Sequence, residues 1–220
     1  GSVKGLEADG VICQERRTGN WASRCSRSGK STPDPMRVIA GCARGMRLQA
    51  PPTHTRPSTD RLREALFSIL QARLEGAHIL DLFAGSGALG IEALSRGAEK
   101  AVFVEEDRIA VKTLKKNLEQ VRLAGRAAVL ECDVFAYLKS PRMVFDIVLA
   151  DPPYASNADC HLAANLLSDS RLSELLSDDG LVVIEVEAER ENPVVPGWEV
   201  IDRRVYGSSA ILFYAWQESR

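Results

Sequence analysis

Apolar positions along this 220-residue chain fall into two alternating periods from residue 78 onward. Short continuous apolar runs are separated by stretches with helical spacing. His78–Phe83, Ala101–Glu105, Ala127–Cys132, Phe145–Ala150 and Leu181–Val186 read as five buried strands. Between them, Ala88–Arg96 reads as a helix. Asp107 caps another that carries Val111, Leu114, Leu118 and Val121 on one face, and 159–176 forms a third. Strand–helix alternation of this kind predicts an α/β fold with a doubly wound, mostly parallel sheet. The end of the chain departs from the alternation. Trp198–Val205 and Ala210–Trp216 are strand-like runs joined by Tyr206-Gly207-Ser208-Ser209, which leaves room only for an antiparallel edge hairpin.

The amino-terminal part follows a different pattern. Residues 1–35 are polar and rich in Gly, Ser, Arg and Lys, without clear periodicity. They read as a tag or disordered extension, with Met36 as the expected natural start. Residues 36–58 form a small unit, with a short hairpin over 37–50 that turns near Gly41 and Gly45. Pro51, Pro52 and Pro57 then mark an extended loop. Residues 59–220 make the main domain. Ser58, Thr59 and Asp60 are N-cap candidates for a helix with Leu62, Leu66, Ile69 and Leu70 on its apolar face.

Composition narrows the class. The chain is 45% hydrophobic and 26% charged, as expected of an ordinary globular protein. No apolar run approaches the ~20 residues of a membrane span, and the cytoplasm is the expected location. Five widely spaced cysteines and three scattered histidines suggest neither a disulfide framework nor a metal site. Charge is unevenly spread. From Arg37 to Glu64 the bases are Arg37, Arg44, Arg47, Arg56, Arg61 and Arg63, against Asp60 and Glu64. From Asp151 to Glu191, ten acids face Arg171 and Arg190. A basic segment on an acidic body points to a polyanion-binding face, and arginine suits bidentate phosphate contact.

The chemistry lies at strand ends. Asp151-Pro152-Pro153-Tyr154 follows the fourth strand, at the carboxyl edge where open α/β sheets bind ligands. An exocyclic amine is a weak nucleophile because its lone pair is delocalised. Acceptors aimed at its N–H bonds draw the nitrogen towards tetrahedral geometry. Asp151 offers carboxylate oxygens, and Pro152 offers a carbonyl whose direction its ring presets. Tyr154 can stack on a base. A plain turn is the competing explanation for these four residues.

Gly85, Gly87 and Gly90 satisfy G-x-G-x-x-G after the first strand, a pattern that dinucleotide enzymes share. Glu105 ends the second strand and suits two ribose hydroxyls, a feature that dinucleotide and S-adenosylmethionine sites share. Three features favour S-adenosylmethionine. Asp81 precedes the glycines, where a cationic amino-acid group could sit. Asp81 to Gly87 has the D-x-x-x-G-x-G form of a methyltransferase loop. Asp133, after the third strand, is placed for an adenine amine.

These motifs make the chain similar to class I S-adenosylmethionine-dependent methyltransferases over residues 78–216. Within that class it resembles the RsmD-type guanine-N2 methyltransferases of bacterial 16S ribosomal RNA over 36–216. The resemblance rests on Arg37-Val38-Ile39-Ala40-Gly41, on Arg56-Pro57-Ser58-Thr59-Asp60-Arg61 and the residues following to Phe67, on the loop from Leu80 to Gly90, on Glu92–Ala98, on Phe103-Val104-Glu105 and on the Asp151 tetrad. Cys42 and Met46 vary the family's hairpin pattern. The tetrad alone also fits adenine-N6 DNA methylases, and a related Asn-Pro-Pro-Tyr form serves glutamine methylation of release factors.

The resemblance implies a seven-stranded sheet and methylation of one guanine in 16S ribosomal RNA, within the small subunit or an assembly intermediate, with no metal and no membrane. It implies catalysis by Asp151, Pro152 and Tyr154. The cofactor would be held by Asp81, Phe83, Ala84, Gly85, Gly87, Glu105, Asp133 and Val134, with Thr59 and Arg61 reaching its carboxylate. Arg37, Arg44, Arg47, Arg56 and Arg63 would contact RNA phosphates. The rivals are an adenine-N6 DNA methylase and a non-catalytic RNA-binding assembly factor.

Overall fold

The computed structural model describes residues 36–51, 60–139, 143–153 and 160–217. Seven strands form one sheet: β1 (His78–Leu82), β2 (Lys100–Glu105), β3 (Ala127–Glu131), β4 (Phe145–Ala150), β5 (Leu176–Glu187), β6 (Trp198–Tyr206) and β7 (Ser209–Trp216). Their order is β3-β2-β1-β4-β5-β7-β6. β1 to β5 pair in parallel, and β7 pairs antiparallel with both β5 and β6. The sheet is therefore the mostly parallel one expected, with its antiparallel edge hairpin.

Among the described residues, six α-helices flank it: α1 (Asp60–Leu70), α2 (Ala88–Ser95), α3 (Arg108–Gln120), α4 (Val134–Leu138), α5 (Cys160–Ser168) and α6 (Ser170–Glu174). Alternation along each central strand divides the core in two. Ile79, Ile147, Leu149, Leu181, Val183, Ile211 and Phe213 pack with α1, α2 and α3. Leu80, Leu82, Val148, Val182, Ile184, Leu212 and Tyr214 belong to the opposite cluster, with Leu166, Leu167 and Leu172. Strands covered on both faces read as unbroken apolar runs, which is why periodicity revealed them.

Three helix expectations need correction. Ile69 is 41% exposed, whereas Arg63 and Phe67 are buried with Leu62, Leu66 and Leu70. At about 100° per residue the buried arc centres between Leu66 and Phe67, and Ile69 falls roughly 20° beyond its edge. The single helix expected over 159–176 is two, because Asp169 takes an extended conformation and accepts the Arg171 N–H as an N-cap. The short α4 was not anticipated, and the chain from Leu176 onward joins β5.

Residues 36–50 form the expected hairpin, closed by an Arg37–Arg47 antiparallel bridge and turning through 41–45. It lies along the groove between α2 and α3. Met36 meets Ser86 at the glycine loop, and the turn rests on Ser95 at the other end of α2. Gly41, at φ +82°, lies so close that a Cβ there would come within 1.8 Å of the Ser95 carbonyl oxygen.

The buried Glu92 anchors this strap. Ile39 and Ala40 donate backbone N–H groups to its carboxylate at 2.7 and 3.0 Å, and Arg96 Nε donates at 2.6 Å. Glu92→Ala leaves a buried cation and two N–H groups without their acceptor. It is expected to cost about 3–5 kcal/mol of stability, measured by urea unfolding.

Candidate active site

Three carboxylates converge at the carboxyl edge of neighbouring strands. β2, β1 and β4 are adjacent, and Leu82 pairs in register with both Val104 and Ala150. Glu105 and Asp151 therefore stand level, one residue beyond that pair. Asp81 lies two residues deeper, roughly 6–7 Å at strand rise. Asp81 is 1% exposed; of the two level acids, Glu105 is buried at 7% exposed under the loop after β1, whereas Asp151 is half-buried.

The loop after β1 wraps these acids with backbone donors. Phe83, Gly85 and Gly87 all have positive φ, at 58°, 54° and 78°. A bulky residue such as Phe83 in this region is an uncommon and costly conformation, of the kind found at ligand sites. Gly85 N–H donates to Glu105 Oε2 at 2.7 Å, and Asp107 N–H donates to Oε1 at 2.8 Å. Gly90 N–H donates to Asp81 Oδ2 at 2.9 Å. A Cβ on Gly90 would lie 2.3 Å from the Phe103 ring, so glycine lets α2 settle onto the sheet and reach Asp81.

Burial pushes the Asp81 carboxyl well above its ordinary value of 3.8. The Gly90 N–H pulls the other way, while the negative charges of Asp151 and Glu105 raise it further. Neither Asp81 nor Glu105 takes part in an ion pair among the described residues. Such a cluster of buried anions fits a cationic ligand, which an ammonium-bearing sulfonium is. Among the described residues, no group of three or more His, Cys, Asp or Glu side chains is placed to hold a metal ion.

The other expected residues scatter more widely. Ala84 is buried and bonded through its N–H to the Val104 carbonyl. Asp133 is exposed just beyond β3 and caps α4 through Oδ1, which accepts the Ala136 N–H at 2.8 Å, and Val134 is the buried first residue of that helix. Pro152 is buried beside Asp151. Arg61 is exposed on α1, and Arg44 and Arg47 are exposed on the hairpin. Arg37 is exposed and ion-paired to Asp60 at 3.4 Å. Tyr154, Thr59 and Arg56 lie outside the described residues, as do residues 1–35.

Arg63 is not a phosphate ligand. Its side chain is fully buried, and Nη2 donates to the Arg37 carbonyl at 2.9 Å and to Asp60 Oδ1 at 2.6 Å. Its Nε and Nη1 have no hydrogen-bond partner among the described residues. It ties α1 to the hairpin from within.

Sequence reasoning also passed over an apolar hollow beside Asp151, lined by Leu62, Leu66, Leu89, Leu149, Ala150, Val183, Ile211 and the buried Glu185. A lone acid in the apolar run of β5 was the available signal.

The fold and sequence recur among known proteins. The family model described as conserved hypothetical protein 95 matches residues 36–215. The chain is 39% identical over 181 residues to ribosomal RNA small subunit methyltransferase D of Escherichia coli strain K12, spanning 81% of this chain and 89% of that one. It is 34% identical over 188 residues to the protein of the same name from Haemophilus influenzae, covering 81% and 93%. Among solved structures, a hypothetical protein of Thermus thermophilus superposes with TM-score 0.69 at 36% identity, covering 81% of this chain and 98% of that one. TrmN from Thermus thermophilus shares the fold, with TM-score 0.60 at 22% identity over 71% of this chain and 48% of its own.

Proposed function

Because the chain belongs to the conserved hypothetical protein 95 family, the RsmD-type ribosomal RNA methyltransferases, we propose that it methylates the exocyclic N2 of one guanine in 16S ribosomal RNA. The donor is S-adenosylmethionine, and the substrate is the small subunit or its assembly intermediate. The observation that carries this reading is the carboxylate cluster of Asp81, Glu105 and Asp151 at three adjacent strand ends. The two buried acids suit a cationic donor, and the third, half-buried, suits an amine acceptor.

When bound, S-adenosylmethionine supplies a methyl group made electrophilic by its sulfonium. Asp81 would hold the ammonium of its amino-acid moiety, and Glu105 the ribose hydroxyls. Glu105 would do so while its carboxylate keeps the Gly85 and Asp107 N–H groups in place. Asp133 would accept from the adenine amine beside Val134. Thr59 and Arg61 would face the carboxylate.

The target guanine is taken from a loop or flipped out of its stack, as enzymes acting on bases require. Tyr154 stacks on it. Asp151 and the Pro152 carbonyl accept the N2 hydrogens, turning the nitrogen lone pair towards the methyl carbon. Asp151 then stabilises the positive charge that develops on N2 and accepts the proton that the amine releases, directly or through water. Holding both partners in line supplies much of the rate.

Labelled S-adenosylmethionine offered with small subunits from cells lacking the gene, naked 16S ribosomal RNA and duplex DNA tests this reading. Nucleoside analysis is expected to find label in N2-methylguanosine. Label in N6-methyladenine of the DNA would show the wrong substrate class. No transfer, together with no S-adenosylmethionine binding by calorimetry, would indicate a non-catalytic RNA-binding factor.

A further inference from the structure

α3 places its charges against its own stability. It carries Arg108, Lys112, Lys115 and Lys116, with Glu119 as its only acid. Asp107 caps its amino terminus, yet Arg108 occupies the first helical position and the first turn itself contains no acid. The partial positive charge of a helix amino terminus disfavours a cation there. Lys112 and Lys116 lie four residues apart, and Lys115 lies three from Lys112, so like charges are neighbours on one surface. Arg108, Lys112, Lys115 and Lys116 are all exposed. None of the four takes part in a salt bridge among the described residues. A helix needed only to cover the sheet gains nothing from this pattern.

The buried side of α3 explains where the stripe leads. Asn117 accepts the Gln49 N–H at 2.8 Å and donates to the carbonyls of Gln49 and Ser86, both at 2.9 Å. Gln120 Nε2 donates to the Arg47 carbonyl at 2.7 Å. The second arm of the hairpin thus runs antiparallel beside α3, with Arg47 at Gln120 and Gln49 at Asn117. Gln120 continues the row of Arg108, Lys112 and Lys116 at four-residue steps. That row starts just beyond Glu105 at the catalytic edge and ends at Arg47, roughly 18 Å away at helical rise.

We propose that the outer face of α3, through Arg108, Lys112 and Lys116, extends the exposed Arg44–Arg47 hairpin into one rigid basic track for the phosphate backbone of the substrate RNA. The inference rests on the reading that RNA is the substrate. Charge selects the occupant. The track is cationic along its length, while the segment from Asp151 to Glu191 holds ten acids against two arginines. Polyanion is thereby confined to one side of the molecule. Lysines contribute here as point charges that neutralise phosphates without reading bases, so binding should depend steeply on salt.

The full chain carrying Lys112→Gln and Lys116→Gln together tests this. Binding to a 16S ribosomal RNA transcript is measured across a salt series. The slope of log affinity against log salt is expected to flatten by about 1 per lysine. Affinity near physiological salt should fall roughly tenfold, seen in methyl transfer as a raised KM for RNA rather than a lowered kcat. S-adenosylmethionine affinity should be unchanged, and the melting midpoint unchanged or higher, since a like-charge pair is removed. An unchanged slope, with the parent chain binding RNA and transferring label, would make α3 an ordinary solvated face and overturn the proposal. A parent chain that neither binds the transcript nor labels it would overturn the functional reading first, and this inference with it.

Discussion

Asp151→Ala is expected to lower the rate of methyl transfer by on the order of 10³-fold while leaving cofactor affinity nearly intact. Removing one preorganised electrostatic contact to a developing charge typically costs about 10²–10³ in kcat. Asp151 is assigned a second task, as acceptor of the released proton. Its position at the mouth, level with Glu105 but across β1 from it, separates it from the part of the site assigned to cofactor. Asp151→Asn keeps one acceptor oxygen and loses the charge. It should retain more activity than Asp151→Ala, and the gap between the two reports how much the carbonyl-like acceptor contributes alone.

A second readout tests the geometry rather than the chemistry. The charge of Asp151 helps hold the Asp81 carboxyl above its ordinary value. Either substitution should therefore lower the Asp81 pKa and shift the acid limb of S-adenosylmethionine binding to lower pH, even as transfer is lost. Transfer that survives Asp151→Ala would remove the assigned role. Cofactor binding that collapses with it would place Asp151 in the donor site instead.

The centre of the sheet was readable because its strands are covered on both faces, so burial appears as unbroken apolar runs such as Phe145–Ala150, whereas β3, expected as buried, has no buried residue. Asp107 was readable as a cap because a short acid preceding a periodic segment has few other local uses, and its side chain does accept the Ile109 N–H. The meeting of Asp81, Glu105 and Asp151 at one edge was legible because each stands at or near the end of a parallel strand, where chain direction alone fixes the edge it faces.

Arg63 was not legible. Its burial depends on the carbonyl of Arg37, 26 residues earlier, and an arginine on an amphipathic helix is ordinarily a surface residue. Glu92 was hidden in the same way: the groups that satisfy its carboxylate in the hairpin lie more than 50 residues away. The break at Asp169 failed for a local reason. One cap residue inside an otherwise continuous helical pattern changes the backbone without changing the apolar spacing around it.

Asp81→Asn is expected to stabilise the cofactor-free protein at neutral pH and to weaken S-adenosylmethionine binding by roughly 10- to 100-fold, the loss of one hydrogen bond to a charged group at about 1.5–3 kcal/mol. The two effects share a cause. Asp81 has a folded-state pKa raised above 3.8 by burial and by its acidic neighbours. Its contribution to stability is therefore fully present below pH 3.8 and is lost as pH rises through the higher folded value. Above that folded value the ionised form is a burden on the free protein. Asparagine cannot ionise, yet it still offers an oxygen to the Gly90 N–H, so the fold keeps the contact and sheds the charge.

The cofactor's ammonium reverses the balance, because it favours the ionised carboxylate. Parent affinity should accordingly fall as pH drops through the raised Asp81 value, with protons taken up on release of ligand. The variant should show a flatter profile over that window. Thermal melts with and without S-adenosylmethionine, and calorimetry across pH, measure both halves. A variant that binds the donor as tightly as the parent, or that melts lower without it, would mean that Asp81 is a structural acid rather than the counter-charge of the donor.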